Sequence, residues 1–120
     1  MEFSLTTELC EQSNGQQAAV IFFNGPIDRS GLLMLDNTVQ DLYRQDIYFL
    51  IFDLANTTSI NSSAIGLLIN ITQQVAMGNG AVRIIRVAEK FKILFELLGL
   101  ESRLPIAENK EQALASFIAK

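Results

Sequence analysis

The stretch that most limits what this chain can become is residues 47–77, IYFLIFDLANTTSINSSAIGLLINITQQVAM. Ile47 to Leu54 is almost solidly apolar. A run without alternation has no face to give to water, so it reads as a central strand covered on both sides by helices. Ala55 to Asn61 is polar and reads as a short loop. The pattern then turns helical from Ser62 to about Met77, with Ile65, Leu68, Ile69, Thr72, Val75 and Ala76 as the core stripe. Gly78-Asn79-Gly80 stops that helix at residues tolerant of positive φ. A buried strand therefore delivers two hydroxyls, Ser62 and Ser63, to the first turn of a helix.

The flanking sequence supplies the layers. Residues 2–9 alternate, with Phe3, Leu5, Thr7 and Leu9 on one side, as in a half-buried strand near a sheet edge. Asn14-Gly15 predicts a two-residue type I′ turn. It leads into a second strand, Ala18 to Phe23, that ends at Asn24-Gly25-Pro26. From about Ser30 to Gln45, Leu32, Leu35, Val39 and Leu42 fall at helical spacing. Val82 to Val87 reads as another strand. Phe91, Leu94, Phe95 and Leu98 mark a third helix closed by Gly99. Pro105 to Ala107 reads as a short last strand, and residues 110–119 as a final helix burying Leu114, Phe117 and Ile118. The expected fold is α/β in one domain over residues 1–120, a mixed sheet with helices in the order β-β-α-β-α-β-α-β-α.

Several function classes are disfavoured by what the residues lack. The chain has no histidine, which removes the commonest base and metal ligand at neutral pH. No phosphate-binding glycine loop follows a strand. Asp28, Asp36, Asp41, Asp46 and Asp53 are scattered without metal-ligand spacing. An enzyme is not expected, nor a bound metal or cofactor. The net charge of −4 argues against nucleic acid as the main partner. Arg83, Arg86, Lys90 and Lys92 make a basic cluster too modest for DNA. No apolar run is long enough for a bilayer, and residue 2 is Glu where a signal peptide would be positive. The expected location is the cytoplasm, without membrane insertion. The single cysteine, Cys10, reads as a small apolar residue near the end of the first strand.

Asn61-Ser62-Ser63 admits two readings. Asn and Ser are favoured N-caps, because a side-chain oxygen accepts an orphan backbone N–H. Only one cap is needed, so with Asn61 as the cap at least one serine hydroxyl is free. Ser63, Leu67, Asn70 and Gln74 then share a helix face offset from the core stripe, with Gly66 adding no bulk beside Ser63. That face suits docking of another protein; alternatively, Leu67 simply packs against the neighbouring helix. A phosphate on Ser63 would add roughly two negative charges. The helix N-terminus tolerates them, while a complementary protein surface would not.

Three stretches together resemble a STAS domain, specifically the bacterial anti-sigma factor antagonists. They are FNGPID (23–28), FDLANTTSINSSAIGLLI (52–69) and EKFKILFELLGLESRLPIAEN (89–109). The resemblance implies that Ser63, the second serine of the middle motif, is a phosphorylation site. It implies that Asn61, Ser62, Ser63, Leu67, Asn70 and Gln74 meet a partner. That partner would be an anti-sigma factor that is itself an ATP-dependent serine kinase, and a separate serine phosphatase would reverse the modification. The family's Asp and Gly are replaced here by Asn61 and Ala64. Asn61 can still cap, while Ala64 adds a methyl group. Two alternatives stand beside this reading. One is a constitutive STAS interaction module in a signalling or transporter assembly; the other is a nucleotide-binding protein.

Overall fold

A computed structural model describes residues 2–100 and 102–118. The elements are β1 (Ser4–Glu11), β2 (Gln17–Ile27), α1 (Arg29–Arg44), β3 (Phe49–Ile60), α2 (Ser62–Met77), β4 (Ala81–Ile85), α3 (Glu89–Leu97) and α4 (Lys110–Ile118). The four strands form one sheet in the order β1-β2-β3-β4. β1 is antiparallel to β2, and β2, β3 and β4 are parallel. The expected mixed sheet with helices on both faces is the observed one.

Alternation along the central strands divides the core. Ala19, Ile21 and Phe23 of β2 and Leu50, Phe52 and Leu54 of β3 face the larger cluster, which holds Leu35 of α1, Leu68 of α2 and Phe91 and Phe95 of α3. Val20, Ile51 and Ile85 face the smaller cluster with Ala113 and Phe117 of α4. The unbroken apolar run in β3 is thus explained by a helical layer on each side. Thr72 sits in the α2 core face because its hydroxyl donates to the Ile69 carbonyl at 2.8 Å.

The first three helices end alike. Asp46, Asn79 and Gly99 adopt φ of 62°, 69° and 69°. The next residue's N–H then donates back to the helix: Ile47 to Leu42, Gly80 to Val75, and Leu100 to Phe95. These Schellman closures satisfy carbonyls left over at the helix ends and turn the chain back toward the sheet. Gly80 is held there by space, because a Cβ would collide with the backbone oxygen of Tyr48.

The strands differ most from the sequence reading. β3 does not stop at Leu54; it continues through Ala55–Ile60, and Ile47 lies ahead of it. β2 likewise runs through Asn24-Gly25-Pro26 to Ile27. The two extensions pair with each other across register shifts, Gly25 absorbing the irregularity at φ 92°. Backbone pairing needs no apolar side chain, which is why polarity misled here. Pro26 is tolerated because β1 ends its pairing at Asn24 and asks nothing of that side.

Some smaller corrections share a cause, the limited reach of covering helices. Thr7 and Leu9 are exposed, because α1 packs over only the Phe3–Leu5 end of this edge strand. Ala76 is exposed where the last turn of α2 overhangs β4, and Ile71 takes a core place instead. Leu98 caps α3 and is 51% exposed. The Asn14-Gly15 hairpin is longer than two residues: Gly15 N–H donates to the Gln12 carbonyl, and only Gly15 takes positive φ. β4 ends at Ile85, before Arg86 at φ 55°. Pro105–Ala107 is reduced to a bridge between Ile106 and Ile84. In α4, Phe117 is buried and Leu114 half-buried; the Ile118 side chain and Ala119 lie outside the described residues.

Two glycines give opposite expectations. Gly80→Ala should cost about 2–3 kcal/mol through the clash with Tyr48. Gly66→Ala, on the open side of α2 with nothing near its missing Cβ, should add about 1 kcal/mol. Urea unfolding of the two variants checks both signs.

Candidate functional site: the capped start of helix α2

Asn61 is the hinge between β3 and α2. Its backbone is extended (φ −95°, ψ 166°) and its side chain caps the helix. Oδ1 accepts the Ala64 N–H at 2.9 Å and the Ser63 hydroxyl at 3.2 Å. Its own N–H donates to the Ile27 carbonyl at 3.4 Å, tying the start of α2 to the end of β2. The expected cap is therefore the observed cap.

Ser62 and Ser63 are exposed on the first turn, while Ala64 and Ile65 turn inward and are buried. Ala64 has no exposed surface, so its methyl group packs in the main core. Asn70 and Gln74 are exposed further along α2. Leu67 is half-buried against the main core, so much of it packs internally instead of standing free. Polar side chains thus dominate this face, with Leu67 as its apolar floor.

The start of α1 repeats the arrangement. Asp28 Oδ1 accepts the Gly31 N–H at 2.9 Å and the Ser30 hydroxyl at 2.8 Å. Ile27 and Ile60 are register partners, so Asp28 and Asn61 begin their helices at the same end of the sheet. The sequence reading missed this pairing, although Asp28-x-Ser30-Gly31 and Asn61-x-Ser63-Ala64 carry one spacing of cap, hydroxyl and small residue. The caps differ in charge: Asp28 titrates and Asn61 does not. The Gly31 N–H, and then the Ser30 hydroxyl, hold the Asp28 carboxyl below its usual range.

The basic residues do not converge. Arg86 donates from Nε to the buried Asp53 at 2.9 Å, and Asp53 also accepts the Ala55 N–H. Arg83 turns toward Ser116 of α4. Lys92 is exposed. Of the four, Lys90 approaches the Asn61 end, its Nζ 3.5 Å from the Thr58 carbonyl. Among the described residues no group of three or more acids and cysteines could hold a metal, and no helix is long and apolar enough to cross a membrane.

The family model described as the STAS domain matches residues 11–113. The chain belongs to the STAS domain family. Solved structures share its fold at low identity. The anti-sigma factor antagonist SpoIIAA in its unphosphorylated form matches with a TM-score of 0.67 at 11% identity, covering 96% of this chain and 97% of that one. The Bacillus cell fate determinant SpoIIAA in the phosphorylated form matches at 0.64 and 16%, covering 96% and 98%. A putative anti-sigma factor antagonist from Thermotoga maritima matches at 0.74 and 15%, covering 92% and 93%. No curated protein matches this STAS domain in a sequence comparison.

The caps can be tested separately. Asn61→Ala should cost about 1 kcal/mol in urea unfolding, and Ser63→Ala no more than about 0.5 kcal/mol. A depressed carboxyl pKa stabilises the folded state above the unfolded value of about 3.9 and ceases to do so as pH falls through the folded value. Asp28→Asn, which keeps a cap oxygen without the titration, should make stability fall less steeply with acid below about pH 4. Equal slopes for wild type and variant would remove Asp28 from that dependence.

Proposed function

We propose that this STAS domain is an anti-sigma factor antagonist switched by phosphorylation at Ser63. In its unmodified form it docks on an anti-sigma factor that is also a serine kinase. In this reading the proteins meet in the cytoplasm, and no nucleic acid or membrane insertion is involved. The observation that carries it is the Ser63 hydroxyl, exposed on the first turn of α2 in a fold shared with a phosphorylated SpoIIAA.

The chemistry asks little of this chain. Ser63 Oγ leaves its hydrogen bond to Asn61 and attacks the γ-phosphorus of ATP held by the kinase. The bond from that phosphorus to the β,γ-bridging oxygen breaks, ADP departs, and the hydroxyl proton passes to a base on the kinase. ATP and magnesium belong to the partner, and this chain acts as substrate, not as enzyme. Asn61 keeps its bond to the Ala64 N–H, so the helix start is retained. The new phosphate sits beside first-turn N–H groups without intrahelical partners and at the favourable end of the helix dipole.

Release follows from what the charge does to a docked neighbour. Asn61, Ser62, Ser63, Asn70 and Gln74 supply the exposed polar part of the contact, and Leu67 its apolar floor. Charge and desolvation at Ser63 then oppose the partner's surface. A serine phosphatase resets the switch by hydrolysing the ester. Asn61 and Ala64, where the family has Asp and Gly, favour a second reading as a constitutive interaction module.

Incubation with the anti-sigma kinase and ATP, read by mass spectrometry, should add one phosphate, and Ser63→Ala should abolish it. Ser63→Asp should weaken partner binding by about 3 kcal/mol, roughly 150-fold. Phosphate added equally to Ser63→Ala would overturn the site. Unchanged binding by Ser63→Asp, together with no phosphate on the wild type, would favour the constitutive module.

A further inference from the structure

The end of the sheet opposite Ser63 holds a second feature. Ile60, the last residue of β3, leads to Asn61, whereas Phe49 and Ala81 pair at the first residues of β3 and β4. There a cleft of about 640 Å³ opens between the β1–β2 loop, the end of α2 and the end of α4. Asn14, Gln16 and Asn79 line it with amide side chains, and Phe49 and Phe117 with rings. Among the described residues Arg83 is its one charged lining residue, in a chain whose net charge is −4.

Arg83 is half-buried and held in place. Its Nε donates to Ser116 Oγ at 2.8 Å and its Nη1 to the Val82 carbonyl at 2.8 Å. The guanidinium carbon lies 5.3 Å from the centroid of the Phe117 ring. These bonds use two of the five N–H groups of the fork and orient the others. Among the described residues no carboxylate lies within ion-pair distance of it. The other half-buried cation among them, Lys110, has Glu8 at 3.9 Å. Burial pushes the Arg83 pKa down, as expected of a cation partly withdrawn from water with no acid beside it.

We propose that this cleft binds a small organic monoanion, a carboxylate carried on a flat ring. The carboxylate pairs with the unused N–H groups of Arg83, and the ring lies against Phe49 and Phe117, whose centroids are 5.3 Å apart. Asn14, Gln16 and Asn79 hydrogen-bond polar substituents on the ring. The charge is limited to one for a physical reason. The C-terminal end of α2 also borders the cleft, and its negative dipole end disfavours a multiply charged phosphate.

The test is a titration of the ¹⁵N-labelled chain with sodium benzoate, followed by amide shifts, against inorganic phosphate and sodium chloride at matched ionic strength. Benzoate should give saturable shifts at residues 79–83 and 116–117 and at the side-chain amides of Asn14, Gln16 and Asn79, whereas phosphate should not. Arg83→Gln should weaken binding by about tenfold or more. Should that variant fail to fold, Arg83→Lys decides, because it keeps the charge and loses the planar fork, with an expected weakening of about threefold. No saturable shift, equal shifts with phosphate or chloride, or benzoate affinity unchanged in the folded variant would overturn the proposal.

Discussion

The parallel pairing of β2 with β3 is the constraint on which the rest depends. It begins at Ala18 and Phe49 and runs, through two irregularities, to Ile27 and Ile60. Because the strands end level, the next residues, Asp28 and Asn61, open α1 and α2 at one edge. The Asn61 N–H bond to the Ile27 carbonyl joins the two starts directly. Strand side chains alternate between faces, so a slip of one residue would move Phe52 and Leu54 out of the main core. The exposure of Ser63 is thus secured by apolar packing far from it.

That arrangement separates what holds the fold from what faces solvent. On α2, Ala64, Ile65, Leu68, Ile69, Ile71 and Val75 are buried, while Ser62, Ser63, Asn70 and Gln74 are not. The second set contributes no buried apolar side chain to the core that the first set forms. The neutral Asn61 cap matters here as well. A carboxylate at that position would stand against a phosphate on Ser63, whereas an amide oxygen caps Ala64 without adding a like charge. The charged cap in this pair of helix starts is Asp28, on the other helix.

Much of this was legible in the residues. The limits of α2 follow from Asn61 at one end and Gly78-Asn79-Gly80 at the other, because capping is local chemistry between a side chain and nearby N–H groups. α1 and its buried face were equally plain from the spacing of Leu32, Leu35, Val39 and Leu42. Asn24-Gly25-Pro26 and Ala55–Ile60 were not legible as strand. Each looks like a turn or loop alone, and each is extended because the other lies beside it. The candidate docking face shows the same division: Ser63 at the surface follows from its place after the cap, whereas Leu67 is half-withdrawn by the core that forms behind α2. The supposed basic cluster dissolved because neighbours in sequence took different partners, Arg86 an acid on β3 and Arg83 a hydroxyl on α4.

The sequence by itself determined the order of elements as far as α3, the caps of α2, the two-sided burial of β3 and the place of two serines at the head of α2. These rest on interactions spanning a few residues, or on whether a run of side chains can face water at all. Only the tertiary structure decided how far β2 and β3 extend, which apolar residues the helices cover, that Asp28 and Asn61 stand at one edge, and that Arg83 turns into a cleft beside α4. Those outcomes depend on backbone pairing and on the reach of one element over another, between residues tens of positions apart, for which a single chain of letters carries no local mark.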